Sequence, residues 1–96
     1  MKPSTALRQQ REAILRLLQM ANLKNPRVFG SVVSQEDKDG SDLDILVDAV
    51  PGTTLFDLGA AQVALEELVG VPVDLIVPGD LPKALREKVL AQARPL

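Results

Sequence analysis

Asp42 and Asp44 stand two residues apart in Ser41-Asp42-Leu43-Asp44-Ile45-Leu46-Val47. Alternation over residues 42–50, with Leu43, Ile45 and Val47 on one side and Asp42, Asp44, Leu46 and Asp48 on the other, predicts a strand. Both aspartates then project from one face, with origins about 6.5 Å apart. Aspartate is depleted in strands, and two on one face repel: at ~6 Å and an effective dielectric of ~20 the cost is about 3 kcal/mol. A divalent hard cation reverses that sign. Magnesium takes oxygen ligands and is usually held by one or two carboxylates plus substrate phosphates. The solvated side of an edge strand would accommodate the same pair without an ion. Asp48, near the strand end, reads as solvated.

Two further elements carry chemistry. Gly30-Ser31 follows the short apolar run Val28-Phe29. Glycine lets backbone approach a ligand closely, and a hydroxyl with successive amides can hold phosphate oxygens, although Gly-Ser turns are also commonplace. Asp74 is the lone acid in Val71-Pro72-Val73-Asp74-Leu75-Ile76-Val77. A buried carboxylate there needs a metal or a basic side chain; an exposed edge would remove the need.

The composition restricts the alternatives. The chain has no histidine and no cysteine, which excludes zinc-thiolate sites, cysteine nucleophiles and the usual general base. Catalysis must use carboxylates, hydroxyls, Lys, Arg, backbone or a bound ion. Residues 1–27 carry a net charge of +5, residues 28–80 of −10, and residues 81–96 of +3. The acidic middle suits cations, and with only Phe29 and Phe56 as aromatics there is little on which bases could stack. Direct nucleic-acid binding is therefore disfavoured. No apolar run reaches the ~20 residues of a membrane span, and the N-terminus lacks a signal-peptide core. The expectation is one cytoplasmic domain over residues 1–96.

The elements that position these residues follow from periodicity. Leu7, Ile14, Leu15 and Leu18 predict a helix over 5–21, ended by Asn22 to Pro26, then a short strand at 27–29. Residues 34–41 form a polar loop. After the 42–50 strand, Thr54 and Asp57 have the spacing of a capping box. The helix they start buries Leu58, Ala61, Leu65 and Leu68, and Gly70 suits its C-terminal cap. A third strand spans 71–77. Pro78-Gly79 turns the chain, and Asp80 is placed to cap a last helix lined by Leu81, Leu85 and Val89. The order is α-β-β-α-β-α, an α/β (α+β) arrangement with a mixed sheet of about three to four strands flanked by helices. The helix between strands 42–50 and 71–77 allows them to be parallel neighbours, which would bring Asp74 beside the aspartate pair.

Taken together, Gly30-Ser31, ten intervening residues, Asp42-x-Asp44 and a strand aspartate at 74 resemble the DNA polymerase beta-like nucleotidyltransferases. In size the chain is similar to the minimal nucleotidyltransferases, which include antitoxins of the MntA type. The resemblance implies that Gly30 and Ser31 bind nucleotide phosphates and that Asp42 and Asp44 hold two magnesium ions. It also implies that Asp74 completes the metal site and helps activate the attacking hydroxyl. Transfer of NMP, with ATP as the expected donor, would release pyrophosphate. Relatives of this kind are often paired with a small helical HEPN protein, and some attach AMP to a toxin tyrosine. This chain contains no tyrosine, so such an acceptor lies in another molecule. The sequence departs from the pattern at Val32-Val33, where minimal members often carry arginines. That departure sustains an alternative: a fold-retaining module with weak or no catalysis that masks its partner by contact.

Overall fold

A computed structural model describes residues 1–96. The elements are α1 (Pro3–Met20), β1 (Leu23–Phe29), α2 (Ser31–Ser34), β2 (Leu43–Ala49), α3 (Leu55–Val69), β3 (Val73–Ile76), a 3-10 turn (Pro78–Asp80), α4 (Lys83–Gln92) and β4 (Arg94–Pro95). They build a mixed four-stranded sheet in the order β3-β2-β1-β4. β1 is antiparallel to β2 and β4, and β2 is parallel to β3.

Both faces of β2 are covered, for a reason visible in its sequence. Leu43, Ile45 and Val47 alternate into the larger core, where they meet Ile14 and Leu18 of α1 and Ala61, Leu65 and Val69 of α3. Leu46 points the other way and packs with Phe29 and Val89 of α4. Leu43, Ile45, Leu46 and Val47 are all fully enclosed. Burial of such side chains contributes about 1.5–3 kcal/mol each. The strand therefore has a fixed register, and its two aspartates go where that register puts them.

Local signals set the helix ends. Pro3 starts α1, earlier than its apolar periodicity indicates, because proline has no amide to leave unpaired there. No neighbouring side chain caps this end; instead Asp37, from the polar loop, accepts the Ser4 amide at 2.9 Å. The expected capping box at α3 is present: the Asp57 amide donates to Thr54 Oγ1 at 3.1 Å, and the Thr54 amide donates to Asp57 Oδ2 at 2.9 Å. Gly70 ends α3 at φ 74°, in the left-handed region.

Several expectations need correction. Asn22 to Pro26 is not merely a helix stop: β1 begins at Leu23 and carries Pro26 through a bulge between Lys24 and Arg27, one of the places in a sheet that tolerates proline. Asn25 takes φ 50° there. Asp48 is exposed but partnered, accepting Arg27 Nη2 at 2.8 Å and Asn25 Nδ2 at 3.1 Å. Its carboxyl is held below the usual range, chiefly by the Asn25 bond and also by Arg27. Asp80 lies in the 3-10 turn, and α4 starts after Pro82 without a side-chain cap. That turn is fastened by Arg86, whose Nε and Nη2 donate to the carbonyls of Pro78 and Leu81 at 2.8 and 2.9 Å. Leu85 is largely exposed, and Val89 carries the packing of α4. The short elements α2 and β4 were not anticipated. On the outer edge of β3, the Val73 and Leu75 amides donate to side chains of α3, Glu66 Oε2 at 3.0 Å and Gln62 Oε1 at 3.2 Å.

Candidate active site

The parallel pairing of β2 and β3 sets Leu43 beside Val73, Asp44 beside Asp74 and Ile45 beside Leu75. Neighbouring strands lie about 4.8 Å apart, and paired residues share a face, so the Asp44 and Asp74 carboxylates stand side by side. Asp42 precedes β2 by one residue and is exposed, as is Asp74, whereas Asp44 is half-buried. The geometry thus brings together the three aspartates singled out in the sequence.

Their mutual effect is electrostatic. The Asp44 carboxyl is pushed up from 3.8 to about 6, first by burial and then by the negative charges of Asp74 and Asp42. No basic group is among the causes. A cation placed here would relieve that penalty, which is the physical test of fit for a divalent metal. No three acidic side chains stand close enough to enclose an ion by themselves. Water and substrate oxygens would therefore have to complete the shell of any magnesium held by these carboxylates.

Gly30 closes the other side. β1 ends at Phe29, paired with Asp44, and the chain turns at Gly30 with φ 72° and ψ −146°, a conformation essentially reserved for glycine. A Cβ at this position would overlap the Asp44 carboxylate, coming within 3.1 Å of its Cγ. The glycine therefore serves twice, for its backbone angles and for the space its missing side chain leaves. Ser31 then opens α2, and the Val33 and Ser34 amides return to the Gly30 carbonyl, each at 3.1 Å.

Sequence reasoning missed Gln92. From the last turn of α4 its Oε1 accepts the Gly30 amide at 3.4 Å, placing a neutral amide side chain at the edge of the site. Nothing local in the sequence signals this, because the partners are 62 positions apart. Val32 and Val33 are half-buried and pack against the main core. They are used as apolar contacts, so no arginine follows Ser31.

A small mixed sheet that clusters carboxylates at a strand end beside a glycine turn is an arrangement suited to metal-assisted nucleotide chemistry. Comparison with known proteins supplies the family: the chain belongs to the nucleotidyltransferase domain family, which matches residues 7–96. A Methanocaldococcus jannaschii protein, assigned by name to the protein adenylyltransferases, is 34% identical over 80 residues, spanning 83% of this chain and 86% of its own. A solved structure described as a minimal nucleotidyltransferase superposes with a TM-score of 0.87 at 45% identity, covering 100% of this chain and 97% of that one. The fold also matches a structure of tri-AMPylated Shewanella oneidensis HEPN toxin in complex with MNT antitoxin. There the TM-score is 0.72 at 21% identity, over 92% of this chain and 69% of that one. That likeness speaks for the fold alone.

Proposed function

We propose that this nucleotidyltransferase transfers AMP from ATP to a hydroxyl on a helical HEPN-type partner protein, acting in the cytoplasm as the antitoxin of a toxin–antitoxin pair. The observation that carries the chemistry is the in-register pair Asp44 and Asp74, with Asp42 adjacent and Gly30 against the Asp44 carboxylate. The adenylyltransferase name of the archaeal relative supports AMP as the transferred group, and the HEPN–MNT complex of the more distant fold neighbour supports the partner class.

In this reading residues 1–96 act as one domain. Asp42 and Asp44 bind magnesium, and Asp74 completes that set and takes up the proton of the acceptor hydroxyl. Magnesium, when bound, stabilises charge on the attacking and leaving oxygens. The Ser31 hydroxyl and the backbone at Gly30 hold phosphate oxygens, with Gln92 yielding the Gly30 amide. The acceptor oxygen bonds to the α-phosphorus as the bond to pyrophosphate breaks, and pyrophosphate departs with both electrons of that bond.

The test is transfer of label from α-labelled ATP to the purified partner. Asp42→Asn and Asp44→Asn should each lower transfer at least ~100-fold, since metal-borne charge stabilisation is worth several kcal/mol. The double variant should be scarcely worse than either alone, because the two carboxylates act as a unit. Val32 and Val33 in the place of arginines favour the competing reading, a module that masks the partner by contact. If the double variant neutralises the partner as fully as the unaltered protein does, masking replaces catalysis as its role.

A further inference from the structure

One end of the sheet carries a row of groups, one from each strand. In sheet order they are Asp74 of β3, Asp44 of β2, the Gly30 turn after β1, and the residues leading into β4. β4 is antiparallel to β1, with Arg94 opposite Val28. Two residues on, the same register sets Gln92 opposite Gly30, in keeping with the bond from the Gly30 amide to Gln92 Oε1. The Cα atoms of Arg94 and Gly30 are thus roughly 8 Å apart, one strand over and two residues along. The guanidinium is turned back toward that end, where Nη1 donates to the carbonyls of Gln92 and Ala93, each at 3.3 Å. Arg94 starts on the face of Val28, opposite to that of Asp44. Past Phe29, however, the chain crosses between the faces, because Val32 and Val33 of α2 pack into the main core. The Gly30-Ser31 turn lies over the sheet end and can be approached from either side.

We infer that Arg94 binds the pyrophosphate end of the nucleotide, an assignment that rests on the transfer reaction proposed above. The first support is charge. Residues 28–80 hold eleven acidic residues and one basic one, Lys38, in a loop tied to the start of the chain by Asp37 and Asp39. Arg27 is engaged by Asp48, toward the other end of β2. A triphosphate on Gly30 and Ser31 therefore needs positive charge from outside that stretch, and β4 brings it. The second support is direction. With Asp74 taking the acceptor's proton, the acceptor enters from the β3 side. An in-line displacement places the leaving group opposite the attacking oxygen, on the side of β1 and β4. Arginine offers a fork of donors that matches phosphate oxygens. Its present bonds are long, exposed and made to neutral carbonyls, and bonds to an ionised acceptor are stronger. An arginine against the last carbonyls of a helix is also an ordinary C-terminal cap. The two roles differ in what they do to nucleotide affinity.

Binding of labelled ATP to the full chain with magnesium, measured by equilibrium dialysis, separates them without turnover. Arg94→Ala should raise the ATP Kd at least ~10-fold, the loss expected for a hydrogen bond to a charged group. In competition it should weaken pyrophosphate by a similar factor and AMP, which lacks that end, hardly at all. Arg94→Lys, which keeps the charge without the fork, should fall between. Lys83→Ala removes the same charge from the start of α4, about 13 Å along the helix from Gln92, and should change none of the three. If Arg94 is a cap alone, Arg94→Ala lowers Tm and leaves ATP binding as it was, which overturns the inference. Equal losses of AMP and pyrophosphate overturn it too. If Arg94→Ala does not fold, Gln92→Glu decides: a carboxylate opposite Gly30 should repel ATP and pyrophosphate more than AMP, and unchanged binding sinks the assignment. An unaltered protein that binds no ATP removes the transfer reading as well, whereas ATP binding that Arg94→Ala leaves intact removes this assignment alone.

Discussion

Asp44 couples the site to the stability of the fold. Its folded-state value near 6 lies above the 3.8 of an unhindered aspartate, so the native state holds its proton where the unfolded chain has released it. Stability therefore falls as pH rises between those two values and stays lowered above them. Screening of this half-buried group by water leaves an effect of roughly 1 kcal/mol, or about 4–8 °C in Tm at this chain length. Asp44→Asn should raise the Tm of metal-free protein at pH 7.5 by that amount and flatten this part of the pH profile. Millimolar manganese should stabilise the unaltered protein and not the variant; a scan in which both respond alike would remove the metal from Asp44. Gly30→Ala tests the contact from the other side. It adds backbone strain of about 1–3 kcal/mol and drives a methyl into the Asp44 carboxylate. The expected outcome is lost transfer activity in a protein that still folds, read by circular dichroism beside the labelled-ATP assay.

At the level of elements, what the sequence disclosed depended on how far apart the partners are. The α3 box was legible because Thr54 and Asp57 are three positions apart and satisfy each other. The strand carrying Asp44, with Asp42 just before it, was legible because alternating Leu43, Ile45 and Val47 state its period, and the helix-length connection allowed the parallel pairing that sets Asp74 beside Asp44 without requiring it. The cap of α1 was not legible, since Asp37 is 33 positions from Ser4. Nor was the role of Gln92, whose partner lies across the fold. α2 and β4 are too short to show a period, and Pro26 hid the start of β1 because a bulge overrides the usual reading of proline. The distant cap makes its own prediction. The Ser4 bonds hold the Asp37 carboxyl below the usual range, so its contribution is present at neutral pH and is lost as acid protonates it, opposite in sign to Asp44. Asp37→Ala should cost about 1 kcal/mol at pH 7 by urea denaturation, and less near pH 3.

Over the whole molecule, charge is segregated along the chain, with the basic first segment presenting Arg8, Arg11 and Arg16 to solvent from α1. If this stripe meets an acidic partner surface, Arg8→Glu with Arg16→Glu should weaken the complex with the proposed HEPN-type partner by ~10-fold or more at low salt, and less as salt screens the field. Titration calorimetry at two ionic strengths reads this directly, and equal affinities would leave the arginines as a solvated face. No helix is long and apolar enough to cross a membrane. The sheet has one further property. Its rim at β3 has the Val73 and Leu75 amides already engaged by Glu66 and Gln62 of α3, while its rim at β4 is two residues long and includes Pro95. An extended peptide laid alongside either rim finds few free amides to template on. At the β3 rim, edge-to-edge pairing with another strand is opposed by two side chains that reach down from a neighbouring helix.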